Sequence, residues 1–220
     1  MTLFEGRDLT CLRGERQVFA GLGFAVPEGG ALLLHGPNGS GKSSLLRLMA
    51  GLLKSAEGRL AWDGRPVSDD PEAHRARLLY LGHLDAVKPV LSAAENLSFW
   101  AATRGGEETA GGPAEVTAAL ERMGLAGLAE VPARLFSAGQ WRRLALARLF
   151  LAPAELWLLD EPTVGLDAES VDRLQAGLAD HRRAGGRVVA ATHTAIDLPG
   201  AERLDLAAFA TSAEVEPAPW

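Results

Sequence analysis

One octapeptide, Gly36-Pro37-Asn38-Gly39-Ser40-Gly41-Lys42-Ser43, constrains this chain more than any other stretch. It fits the pattern G-x-x-x-x-G-K-[ST] and sits between an apolar run, Ala31 to His35, and a helical pattern from Ser40 to Leu53. Glycines there allow the backbone to turn its N–H groups inward around phosphate oxygens. The helix that follows adds the positive end of its dipole. Such a loop places Lys42 on the β- and γ-phosphates of a nucleotide and the Ser43 hydroxyl on Mg²⁺, with Ser44 next in line. The plainer reading is a glycine-rich turn with an incidental lysine. Against it stands the basic composition: of 22 Lys and Arg residues, three are lysine, at 42, 54 and 88. A chain that otherwise uses arginine has a reason for a lysine here.

Around this loop the pattern alternates. The first 35 residues read as short strands broken by Gly and Pro. "RLAWDGRPV" carries the Asp63-Gly64 pair of a hairpin turn, and Asp70-Pro71 reads as a helix cap followed by proline at the first helical position. An apolar run, Leu78 to Leu81, then ends in Gly82-His83. The middle of the chain differs in kind. Ser92-x-x-Glu95 and Ser137-x-x-Gln140 are capping boxes that open helices, a third helix runs from Val116 to Met123, and "TRGGEETAGGP" is a polar loop. Beyond it come a strand at 156–160, a helix at 168–184, a strand at 187–192 and a short strand near 204–209. Strands alternating with helices predict an α/β core with a helical insertion.

"LWLLDEP", Leu156 to Pro162, is an apolar strand that ends in two adjacent carboxylates. Successive strand residues point to opposite faces, which predicts different roles for them. Beside a phosphate loop, Asp160 suits the Mg²⁺ shell through water, and Glu161 suits polarising the attacking water. "FSAGQWRR" is a plain helix start with an apolar stripe of Trp141, Leu144, Ala145 and Leu149. Its N-terminus is also a second anion site, one more than a simple nucleotide pocket needs.

These motifs together resemble those of the ATP-binding cassette (ABC) ATPases. The phosphate loop, Ser137–Gln140, Leu156–Pro162, "VGLD" at Val164–Asp167 and His193 after "VVAAT" stand in that family's order across nearly the whole chain. The resemblance implies a P-loop NTPase α/β core with a mostly parallel sheet, an N-terminal antiparallel β subdomain and an inserted helical subdomain. Residues 1–220 then form one ABC ATPase domain. Residues 1–83 and 154–210 make the catalytic core with the β subdomain, about 84–153 make the helical insertion with the signature motif, and 211–220 form a loose tail. It also implies a head-to-tail homodimer, with ATP and Mg²⁺ between one chain's phosphate loop and the other chain's signature, Ser137, Ala138, Gly139 and Gln140. Asp167 would act across the interface, and Glu161, His193 and Lys42 would be catalytic, His193 sensing the γ-phosphate. Three positions depart from the common pattern. Ala138 replaces a glycine. Arg13 stands where an aromatic usually stacks on adenine, leaving the Arg13 guanidinium, Phe4 or Phe19 to meet the base. His83 stands where a glutamine usually links Mg²⁺, through water, to the insertion. A neutral imidazole can hydrogen-bond that water as glutamine does.

Composition narrows the kind of cassette. A net charge of −6 does not suit neutralising a nucleic-acid backbone, so no nucleic-acid partner is expected. A single cysteine, Cys11, leaves no internal disulfide and suits a reducing compartment. No apolar run is long enough to span a bilayer, and the N-terminus has no secretory pattern. "YLGHLDAVKPVLSAAENLSFW" with "SAGQWRRLALARL" resembles the ATP-binding subunits of bacterial cytochrome c maturation (haem export) complexes. That resemblance implies an ATPase held peripherally at the cytoplasmic face of the inner membrane. Its partners would be a membrane-spanning transporter subunit and other cytochrome c maturation subunits, and it would energise haem movement or release of a haem-loaded chaperone. ATPases of other small-molecule exporters, and soluble cassette switches, are the alternatives.

Overall fold

A computed structural model describes residues 2–14, 16–103, 112–193 and 196–210. Residues 104–111, which make up most of the expected glycine-rich loop, and the tail 211–220 lie outside the described residues. The strands are β1 (Leu3–Arg13), β2 (Arg16–Pro27), β3 (Ala31–His35), β4 (Glu57–Trp62), β5 (Arg65–Pro66), β6 (Leu78–Leu81), β7 (Leu156–Asp160), β8 (Arg187–Ala191) and β9 (Glu202–Asp205). The α-helices are α1 (Lys42–Met49), α2 (Pro71–Arg77), α3 (Ala93–Thr103), α4 (Pro113–Arg122), α5 (Ala138–Ala147) and α6 (Ala168–Arg183).

The N-terminal region is not a set of short strands. β1 and β2 form one long antiparallel hairpin, in register from Leu3↔Pro27 to Arg13↔Arg16. Gly6 does not break its strand because the Phe24 ring packs where a Cβ would stand. The register shift beyond it is taken up at Asp8, with φ 53°. β4 adds to β1 and turns into β5 at Asp63-Gly64, where φ values of 50° and 77° are those a two-residue hairpin turn demands.

The second sheet has the order β6-β7-β8-β3-β9, and every pair in it is parallel. Its central strands β7 and β8 are buried along their length, as parallel strands covered on both faces must be. Alternate residues feed two cores. Leu33, Leu79, Leu81, Trp157, Leu159, Val188 and Ala190 pack with Leu97, Val116, Leu146 and Leu178 of α3 to α6. Leu32, Leu34, Leu78, Leu158, Val189 and Ala191 pack with α1 and with Phe4 and Phe19 of the hairpin.

Helix starts follow their caps. Asp70 accepts from the Ala73 N–H (2.9 Å), and both capping boxes are closed: Ser92 with Glu95, and Ser137 with Gln140. The first helix is shorter than its pattern, Lys42–Met49 rather than 40–53: Gly36, Gly39 and Gly41 hold φ at 139°, 81° and 102° and keep 36–41 out of it, and Gly51, at φ 71°, lies just past its end. The last strand ends at Asp205 and passes into a 3₁₀ turn, Leu206–Phe209. No helix among the described residues is long and apolar enough to cross a membrane.

Candidate active site

The carboxyl ends of parallel strands open on one edge of the sheet, where such folds bind ligands. β3 delivers the phosphate loop there, β6 delivers His83, β7 delivers Asp160 and Glu161, and β8 delivers His193. All of them line one cavity of about 650 Å³. Asn38, Gly39, Gly41, Lys42, Ser43 and Ser44 line it, and so does Arg13.

The loop is built for close backbone approach. A Cβ on Gly41 would lie 2.6 Å from Val18 Cγ1 and 3.0 Å from Phe19 Cδ1, so the β2 strand backs directly onto the loop. Buried Lys42 donates from Nζ to the carbonyls of Gly36 (2.7 Å) and Pro37 (3.1 Å). An ammonium has three donors, so this anchoring leaves one for a phosphate. Asp160 is 3% exposed, and among the described residues its Oδ2 has no hydrogen-bond partner. A buried unpaired carboxylate oxygen is costly in isolation and needs a cation or an ordered water. With the Ser43 hydroxyl in the same cavity, these hard oxygen donors fit Mg²⁺, which takes few protein ligands and keeps its waters.

Strand alternation predicts that Asp160 and Glu161 diverge, yet both line this cavity. The reason is the backbone of Glu161, whose φ of 49° leaves the strand through the left-handed region. Residues other than glycine avoid that region, and a following proline, here Pro162, restricts the position further. The Glu161 N–H donates to the Ala191 carbonyl (2.8 Å), and its carboxylate accepts from the His193 backbone N–H (3.1 Å). The His193 ring stands with Nε2 3.6 Å from Glu161 Oε1.

The signature residues lie elsewhere. Ser137 and Ala138 are exposed at the start of α5, and neither residues 137–140 nor Asp167 line the cavity. Gly139 faces the Gly165 carbonyl of "VGLD", 3.5 Å from where its Cβ would be. Asp167 caps α6, accepting from the Ser170 N–H at 2.9 Å, and hydrogen bonds from Ser170 hold its carboxyl below the usual range. One chain therefore carries a phosphate pocket and a separate helix N-terminus that its own pocket does not use.

Phe4 and Phe19 are corrected as base-stacking candidates. Both are fully buried, Phe4 against Trp62 at 4.8 Å and Phe19 beneath Gly41. Arg13 does reach the cavity, joined by Arg16 and Val18, because the β1–β2 hairpin puts its tip over the phosphate loop. No local pattern marks Arg16 in the sequence; its place follows from the Arg13↔Arg16 pairing at that tip. Val164 is a further wall, 51% exposed. Arg142 was also missed. It is 7% exposed on α5 and donates to the carbonyls of Glu161 (2.6 Å) and Asp160 (3.2 Å). Its spacing to Ala145, Leu146 and Leu149 puts an arginine on a buried helical face, which is itself a signal.

Residues 19–164 match the ABC transporter family model. A "Cytochrome c biogenesis ATP-binding export protein CcmA" from Paramagnetospirillum magneticum is 58% identical over 96% of this chain and 97% of its own length. A protein of the same description from Rhodospirillum rubrum is 58% identical over 94% of this chain and 87% of its own. Among solved structures, a putative ABC transporter ATP-binding protein from Pyrococcus furiosus superposes with a TM-score of 0.81 at 24% identity, over 95% of this chain and 100% of its own, which speaks to fold alone.

Proposed function

The chain belongs to the ABC transporter family, and from that premise we propose that it is the ATP-hydrolysing subunit of a cytochrome c biogenesis exporter in a bacterial inner membrane. The observation that carries the reading is the 58% identity, end to end, with a protein described as a cytochrome c biogenesis ATP-binding export protein. An ATPase of an export system works as a dimer and against a membrane subunit, and this chain is read as doing both. Its place is peripheral, at the cytoplasmic face, with the insertion at about 84–153 meeting the membrane subunit and other cytochrome c maturation subunits nearby. The work done is haem export or release of a haem-loaded chaperone.

ATP lies with its phosphates on the loop 36–43, its base toward Arg13, and its γ-phosphate bridged to Ser137 and Gly139 of a second copy. Ser43 and, through water, Asp160 would hold Mg²⁺, with His83 reaching the same water shell. Bound there, the ion neutralises charge on the phosphate oxygens. Lys42 keeps its place through two carbonyls and gives its remaining donor to the phosphates, where negative charge spreads in the transition state. Glu161 orients the attacking water, and the His193 backbone N–H fixes the carboxylate that does so. The His193 ring senses the γ-phosphate. Hydrolysis removes the bridge between copies, and Asp167 adjoins the reopening interface.

Co-purification tests the reading. A tagged chain is expected to bring a multi-helix membrane subunit and to hydrolyse ATP. A chain that ignores all membrane subunits and binds DNA or RNA at physiological salt contradicts it.

A further inference from the structure

Arg142 does not line the cavity, yet it is buried, and both terminal nitrogens of its guanidinium are hydrogen-bonded. One nitrogen pairs with the carboxylate of Asp85, and the other donates to the carbonyls of Asp160 and Glu161. Those carbonyls flank the one place where the strand leaves extended geometry, the left-handed Glu161. Such a conformation persists only where its surroundings over-determine it. Two of the ties on Glu161 come from the β8 end, through the Ala191 carbonyl and the His193 N–H. The tie at 2.6 Å to its carbonyl comes from Arg142.

Asp85 in turn belongs to a segment that is held as a unit. It stands two residues after His83, its own carbonyl accepts from Arg148 (3.2 Å), and the next carbonyl, of Ala86, accepts from Trp100 Nε1 (3.2 Å). The Arg148 guanidinium stacks 3.6 Å over that same Trp100 ring. Asn96 closes the far side, accepting from the Lys88 N–H (2.7 Å) and donating to the Lys88 carbonyl (3.0 Å). A displacement of α3 must therefore move Asp85, and with it the anchor of Arg142.

We propose that Arg142, oriented by Asp85, is a positioning residue that holds the backbone of Glu161 in its left-handed, hydrolysis-competent conformation and ties it to the 83–100 segment. The proposal rests on the reading of Glu161 as the residue that orients water. A planar fork makes the three contacts at once, whereas a lysine is a point charge that keeps the pair with Asp85 but not the two carbonyls.

The experiment compares Arg142→Lys, Asp85→Asn and Glu161→Gln in the full chain, reading kcat and KM for ATP, equilibrium ATP binding and the thermal midpoint. Arg142→Lys is expected to unfold near the parent's midpoint, bind ATP with parental affinity and lose about tenfold to a hundredfold in kcat, the scale of a misplaced catalytic group. Asp85→Asn, which removes the charge that anchors the Arg142 donors and keeps one acceptor oxygen, falls between that variant and the parent. Parental kcat in both Arg142→Lys and Asp85→Asn, while Glu161→Gln is inactive, overturns the proposal and leaves Glu161 in its role. A raised KM at unchanged kcat also overturns it, because Arg142 would then act on nucleotide binding. Parental hydrolysis by Glu161→Gln removes the reading of Glu161 and the proposal with it. Should Arg142→Lys fail to fold, Asp85→Asn decides alone: lowered kcat at parental KM supports the proposal, and parental kcat overturns it.

Discussion

Replacing Glu161 by alanine and by glycine separates its chemistry from its backbone. Both variants lose the carboxylate, so both are expected to lose hydrolysis, and both lose the hydrogen bond from the His193 N–H. They differ in one respect, the Cβ at φ 49°. A Cβ in the left-handed region costs roughly 1–2 kcal/mol, against which glycine's extra freedom in the unfolded chain costs roughly 0.4–1 kcal/mol. The balance favours glycine by about 1 kcal/mol, the reverse of the order expected at an ordinary helix or strand position. In a chain of this size that is a midpoint shift of about 2–4 °C. Thermal and urea unfolding of the two nucleotide-free variants, side by side, read the difference directly. An alanine variant as stable as the glycine variant, or more so, would refute the left-handed account of Glu161.

Two further outcomes follow from the packing. Gly41→Ala places a methyl 2.6 Å from Val18 Cγ1 at a φ of 102°, and is expected to lose about 2–4 kcal/mol by urea unfolding, together with nucleotide affinity. His181 stacks flat on Trp157, with ring centroids 3.8 Å apart, and burial pushes its pKa from 6.5 down to about 4. Between those values the unfolded ring binds a proton that the folded ring does not, so stability falls as pH drops from about 6.5 toward about 4. His181→Gln is expected to flatten that limb of the curve of midpoint against pH.

What could be read in the residues is what depends on neighbours along the chain. The phosphate loop, the Asp63-Gly64 turn and the three capped helix starts at 70, 92 and 137 are local devices, and each stands where its residues say. The carboxylate pair at the end of β7 was legible, and so were two roles beside one nucleotide, but how both residues come to line one cavity was not. That depends on a backbone conformation held by Ala191, His193 and Arg142, all distant in sequence. The long β1–β2 hairpin hid behind its glycines for a similar reason: whether Gly6 breaks a strand or makes room depends on the Phe24 ring across the sheet. Phe4 and Phe19 were plausible for the base only until their burial was known. The pairing of Asp85 with Arg142 joins a loop to a helix start across the whole insertion, and no local pattern announces it.

ATP hydrolysis at the 36–43 and 160–161 site is proposed to drive cytochrome c biogenesis. Its most direct test is covalently bound haem in the c-type cytochromes of cells whose only copy of this chain carries Glu161→Gln. This variant is expected still to bind ATP and to co-purify with its membrane subunit, while haem-bearing c-type cytochromes are lost. Parental cytochrome levels alongside a chain shown to be unable to hydrolyse ATP would contradict it.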